Sequence, residues 1–226
     1  MDKPARTAPD LDLIRQEIDR IDKQMIELLC ARFAASEQVR LAKAASPQSG
    51  IPYRPGREAI ILRTLQAQAG SKLPAGIVER IWRTIISAST MMQADVRIVT
   101  PADVLNDARY REAIELFAAM MPVEKMRSLK GCLEALAPAE PKLAIVPMKS
   151  DWYEQIKARP ESERPRVIAV LPAQSDKPSR SLAVLGYSIS ERTGEDETLV
   201  ATTGKLPRDF VPKPVWTMKI SDDLHF

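Results

Sequence analysis

The stretch from Leu11 to Lys43 contains neither Gly nor Pro. Leu11, Ile14, Ile18, Ile21, Met25, Leu28, Arg32, Ala35, Val39 and Ala42 recur along it in alternating steps of three and four. That spacing is the seam of one unbroken helix that packs along its whole length against other helices. Such a helix runs to ~50 Å, which is long for an element of a chain this size. A three-helix unit with one overlong helix is buried most simply as an intertwined dimer, with each long helix contributing to two sites.

Arg32 occupies the seam where Leu or Ile is expected. A cation on a buried stripe costs several kcal/mol unless an anion pairs with it. No acidic residue occupies a neighbouring seam position. Lys43 lies nearly in line with Arg32, because eleven residues at about 100° each leave only ~20° of offset. The pattern reads as an internal site that receives an anion. Arg15 precedes Arg32 by about 25 Å along the axis, so it cannot reach the same small anion from the same chain. It is either a surface residue or part of a site in another subunit.

Met1 to Pro9 is a polar lead, and Asp10 or Asp12 can cap the helix beginning at Leu11. The helix ends near Ala45, where Ser46-Pro47-Gln48-Ser49-Gly50 supplies turn chemistry. Pro55 suits the first turn of a second helix, Pro55 to Ala69, with Gly70 as its stop. A third helix spans about Pro74 to Ala94, with a broad apolar face from Ile77 to Ala88. Arg57 and Glu58 fall in the first turn of the second helix. Ser89 and Gln93 stand four apart on the third and share a face. After Asp95 the composition becomes α/β. Strands are expected at 96–99, 143–146, 167–171, 182–187, 198–202 and 215–220, and helices at 109–120 and 150–157. The expected organisation is multidomain, with an all-α domain at 1–95 followed by a small α/β domain at 96–226.

The 226 residues carry a net charge of only +3, with acidic and basic residues interspersed, which argues against a nucleic-acid protein. Cys30 and Cys132 form neither a disulfide framework nor a metal-binding spacing. His225 is the single histidine and lies beside the C-terminus, so a histidine-based triad or zinc site inside the fold is not expected. No apolar signal segment or membrane-length run is present, and a soluble, cytoplasmic protein is expected.

The segments LIRQEIDRIDKQMIELLCARFAASEQVRLAK, YRPGREA and ERIWRTIISASTMMQ resemble the all-helical chorismate mutase family over Leu11 to Gln93. The resemblance implies a three-helix, intertwined homodimer that binds chorismate and forms prephenate, in the shikimate route to phenylalanine and tyrosine. It implies that Arg15 from the partner subunit, together with Arg32 and Lys43, binds the two substrate carboxylates, with Lys43 also near the ether oxygen. Arg57 would add positive charge, and Glu58 would accept a hydrogen bond from the ring hydroxyl. Ser89 would contact the ring carboxylate, and Gln93 would donate to the ether oxygen. Arg54 stands where some members have Asp, and its backbone can keep that position's role at the hydroxyl end. Lys43, Gln93 and Arg32 are the implied catalytic residues. The implied [3,3] rearrangement needs no nucleophile, metal, cofactor or proton transfer. It needs a compact diaxial conformer to be held and charge on the breaking ether bond to be stabilised. Since Gln93 is neutral, no acidic optimum is expected.

The second half resembles fragments of prephenate dehydratase, which often follows such a domain. Leu143 to Ser150 resembles its VPxENS strand and loop, with the acidic and amide positions altered. Pro178 to Gly186 resembles the segment around its Thr-Arg-Phe motif, with Ser179 and Arg180 kept and Ser181 in place of Phe. Gly194 to Val200 resembles the dehydratase segment on the C-terminal side of that motif. No glycine-rich opening loop, second lobe or regulatory module is expected from these residues, so this half reads as a truncated single lobe without dehydratase function. Three alternatives to a monofunctional mutase stand beside it: a bifunctional mutase–dehydratase, a non-catalytic chorismate- or prephenate-binding partner of another enzyme, and a pyruvate lyase acting on isochorismate. The intact cationic set argues against the non-catalytic partner.

Overall fold

The computed structural model describes residues 10–45, 52–138, 140–172, 180–188, 191–203, 207, 209–211, 213, 217–218 and 224–225. The chain divides into two compact units between Pro47 and Gln48.

In the first unit the described residues form one helix, α1 (Leu11–Ala45). Its bounds follow the Gly- and Pro-free run. The Asp10 carboxylate accepts the Asp12 N–H at 2.9 Å, which satisfies one of the helix's orphan donors. Asp12 in the first turn and Lys43 in the last complement the helix dipole. Arg15–Asp12, Arg20–Glu17 and Arg40–Glu37 pair along the polar faces. The apolar residues of the seam from Leu11 to Leu28 are exposed, and Leu28 is 71% exposed.

The second unit opens with α2 (Pro55–Ala69) and α3 (Ala75–Met91), joined by a short turn. A connection this short makes the two helices antiparallel neighbours. Pro55 sits at the start of α2, and Gly70, with φ of 54°, ends it. The third helix stops at Met91, short of Ala94, because the Thr90 carbonyl takes the N–H groups of both Gln93 and Ala94 in a terminal turn. Its apolar face divides. Val78 is buried, whereas Ile77 and Ile81 are exposed.

Beyond α3 the chain builds a five-stranded sheet. Its strands are β1 (Arg97–Pro101), β2 (Val123–Met126), β3 (Lys142–Pro147), β4 (Arg166–Leu171) and β5 (Leu182–Gly186), in the spatial order β2-β1-β3-β5-β4. The first three run parallel, and β5 lies antiparallel between β3 and β4. The helices α4 (Ala108–Ala118), α5 (Leu129–Glu134) and α6 (Trp152–Lys157) connect them. Central strands read as continuous apolar runs because both faces are covered. Ile98, Leu143, Ile145, Leu182 and Val184 pack on one face with Ile114 and Phe117 of α4. Val99, Ala144, Val146, Ala183 and Leu185 pack on the other with Cys132 and Leu133 of α5 and Trp152 and Ile156 of α6. The layering is helix–sheet–helix. A Cβ at Gly186 in β5 would lie 2.7 Å from Leu143 Cδ2, so the Leu143 side chain would have to shift.

The sequence reading missed β2 and α5. It also placed a strand at 198–202, where only Thr202–Thr203 pairs, with Leu224–His225, as the short ladder β6–β7. Within 215–220, Thr217 and Met218 are not in a strand, and the remaining positions lie outside the described residues. Within the second unit, α2 and α3 belong with the α/β region, and α3 is tied to it. One such tie is the Ser87 hydroxyl, which accepts the Met120 N–H at 3.1 Å. Among the described residues no helix is long and apolar enough to cross a membrane.

Candidate active site

The sequence-predicted site residues fall on three helices or, for Arg54 and Gln93, just outside their ends. Arg15, Arg32 and Lys43 belong to α1. Exposed Arg15 pairs with Asp12 at 3.3 Å. Arg32 is half-buried, and desolvation holds its guanidinium below its ordinary pKa. The Ser36 hydroxyl donates to the Arg32 carbonyl at 3.1 Å, within the same helix. Eleven residues of helix separate Arg32 from Lys43 by about 16 Å along the axis, so one small anion spans them only through their long side chains.

The second unit gathers the other five positions. Because α2 and α3 are antiparallel, the start of α2, with Arg54, Arg57 and Glu58, lies at the same end of the hairpin as Ser89 and Gln93. Arg54 and Arg57 are exposed. Arg54 forms an ion pair with Glu191. The loop that carries Glu191 lies against the first turn of α2. A Cβ at Gly56 would be 3.0 Å from Thr193 Cγ2 and 3.2 Å from the Glu191 carbonyl oxygen. Arg63, two turns along, donates to the Thr193 carbonyl at 2.6 Å and pairs with Glu195 at 2.6 Å.

Ser89 is buried, and its hydroxyl donates to the Ile85 carbonyl at 2.8 Å. Gln93 lies beyond the last residue of α3, and its side-chain amide donates to the Ser89 carbonyl at 3.2 Å. The four-residue relation expected from the sequence therefore persists through the terminal turn.

Glu58 is buried. Its Oε1 accepts from Arg83 Nη1 at 2.6 Å, and the nearby Tyr53 phenol favours its ionised form. Burial pushes the Glu58 carboxyl above its ordinary pKa, against the opposing pull of Arg83 and Tyr53. Burial likewise pushes the Tyr53 phenol well above its usual range. Arg83 Nε meets Glu79 at 2.9 Å, and the guanidinium lies 5.8 Å from the centre of the Phe117 ring. The sequence reading did not single out Tyr53 or Arg83. Their signals were faint: an aromatic just before a helix start, and an arginine four residues after a glutamate.

Residues 14–94 match the family model for chorismate mutase type II. The match runs from Ile14 in α1 through α2 and α3 and ends before β1; a mixed α/β region follows it. No curated protein and no solved structure matches the chain.

No comparison supports the dehydratase resemblance expected from the sequence; of its segments, Leu143 to Ser150 forms β3 apart from Lys142, and the loop after it, where the Ser150 hydroxyl donates to the Pro147 carbonyl at 2.7 Å. Pro178 and Ser179 lie outside the described residues. Arg180 is exposed, and Ser181 is buried just before β5.

Proposed function

We propose that this protein is a chorismate mutase, an isomerase that rearranges chorismate to prephenate in aromatic amino-acid biosynthesis. The observation that carries the reading is the coincidence of the chorismate mutase type II match with three helices bearing Arg15, Arg32, Lys43, Arg57, Glu58 and Ser89, with Gln93 in the turn that ends the third. The functional unit is residues 1–95 taken twice, as a homodimer. The exposed apolar seam of α1 supports this assembly, because a contiguous apolar stripe of that length is characteristic of an interaction surface. In the dimer Arg15 of one subunit joins Arg32 and Lys43 of the other around the substrate carboxylates.

These residues divide the work in two. Arg15, Arg32, Arg57 and Ser89 hold the diaxial conformer, with Arg54 at the hydroxyl end and Glu58 accepting from the ring hydroxyl, so the entropy of orientation is lost on binding rather than in the rearrangement. Lys43 and Gln93 donate to the ether oxygen, where negative charge builds as the bond breaks. Residues 96–226 support this unit as one lobe without dehydratase activity, and the single five-stranded sheet is consistent with that role. The protein acts in the cytoplasm.

The test is to follow loss of chorismate absorbance with purified protein and to resolve the products. Prephenate alone is expected. Phenylpyruvate in addition would contradict the single-lobe role, and unchanged chorismate would contradict the mutase.

A further inference from the structure

We propose that Arg83 is a positioning residue for Glu58, fixing its carboxylate in place and in the ionised form that accepts the substrate hydroxyl. The proposal rests on the mutase reading above and deepens it.

Glu58 is buried at the first turn of α2, where an unpaired carboxylate is costly and shifts toward its neutral acid. Arg83, reaching across from α3, is the cation that opposes this, at 2.6 Å. Its guanidinium has little freedom. Glu79 holds Nε at 2.9 Å, and the ring of Phe117 lies 5.8 Å away. Phe117 belongs to α4 and packs edge-on against Tyr53 at 5.7 Å between centroids. Tyr53 in turn acts on the Glu58 carboxylate, favouring its ionised form, and both aromatic rings lie in the core cluster on one face of the sheet. The α/β region thereby reaches the mutase helices through one charged chain, from the sheet core to Phe117, Arg83 and Glu58. A carboxylate has about four acceptor positions, so the bond from Arg83 leaves capacity for a substrate hydroxyl.

The charged and titratable groups facing Glu58 are Arg83 and Glu79 of α3 and Tyr53 ahead of α2. With Arg83 neutralised, burial and the Glu79 charge both favour the protonated acid. A protonated Glu58 loses its charge and part of its acceptor capacity, so it holds the substrate hydroxyl more weakly. Loss of Arg83 is therefore most damaging at low pH and is relieved as pH rises.

The experiment is a double-mutant cycle in turnover, with kcat and KM for chorismate measured from about pH 5.5 to 8.5 on the wild type, R83Q, E58Q and R83Q/E58Q. R83Q is expected to lower kcat/KM by about tenfold at neutral pH, with recovery on the alkaline side, and to cost less than about twofold in the E58Q background. Circular dichroism and melting of each variant establish that it is folded. Should R83Q not fold, R83K in both backgrounds completes the same cycle, with a loss of a few-fold expected only when Glu58 is present. Equal losses in both backgrounds, or an R83Q pH profile parallel to that of the wild type, would overturn the proposal and leave Arg83 a structural residue. A wild type that does not turn over chorismate would overturn the mutase reading and this proposal with it.

Discussion

Every residue from Leu143 to Val146 and from Leu182 to Gly186 in the sheet is buried, whereas Leu28 in the middle of the α1 seam is 71% exposed. Both stretches are apolar and both are regular. The sheet finds its covering layers within about a hundred residues of its own chain, in α4, α5 and α6. By contrast, α1 carries an apolar stripe suited to another helix and leaves it open. The difference teaches that periodicity reports which face will be buried but not which chain buries it. On the proposed reading a second copy covers α1, and the same association completes the substrate site. The sheet is then the self-sufficient part of the molecule, and α1 is the part whose function depends on assembly.

Substitutions break this comparison at different strengths. Trp152 is fully buried beneath the sheet and donates its indole N–H to the Met148 carbonyl at 3.2 Å. W152A is expected to destabilise the second unit by about 3–5 kcal/mol, measured by denaturant unfolding, through both cavity and lost hydrogen bond. R32A works on the other region. It is expected to lower kcat/KM by about 10²–10³ while the unfolding transition of the sheet stays in place, because it removes charge from the site and no core atom. An R32A protein with unaltered turnover would detach the seam arginine from the chemistry.

Asp107 gives a smaller effect, confined to acid. It caps α4 by accepting the Arg109 N–H at 2.9 Å, and its side-chain pairing with Arg109 holds its pKa down to about 2, below the ordinary 3.8. A depressed folded-state pKa contributes stability that is present above the ordinary value and is lost as pH falls toward the folded value. D107N is therefore expected to flatten the acid limb of stability between about pH 4 and 2, read from melting temperatures across that range. The smallest perturbation is chemical. Cys30 of α1 is exposed, whereas Cys132 is buried with its thiol pushed up to about 12. One thiol is expected to react with a disulfide reagent in the native protein and both after denaturation. Fast native reaction at Cys132 would place an opening in the sheet unit.

Much of the helical part was legible in the sequence because its signals are local. Pro55 and Gly70 bracket α2, and the seam spacing sets α1. The sheet was legible where strands are wholly apolar, as in β3 and β5, and not in β2, whose Val-Glu-Lys-Met carries two charges and is a strand through its pairing with β1. The six-residue α5 is too short for periodicity to register, and its start is fixed by the Ser128 hydroxyl accepting the Gly131 N–H. At the site, residue types and spacings could be read from the sequence, but the partners of Glu58 could not. Tyr53 and Arg83 lie five and twenty-five positions from it, and only the hairpin and the sheet core bring all three together. The terminal turn that carries Gln93 past the end of α3 was likewise invisible to a periodic pattern, because it is set by a bifurcated carbonyl at Thr90.

The most direct test of the assembled site is subunit complementation. R15A and K43A chains, each inactive alone, are unfolded together, refolded and assayed for prephenate formation. In a mixed dimer one site combines the intact Lys43 of the first chain with the intact Arg15 of the second, and the other site has neither. Random pairing then predicts recovery of about a quarter of wild-type activity. A mixture as inactive as its components would contradict a site shared between two copies of α1.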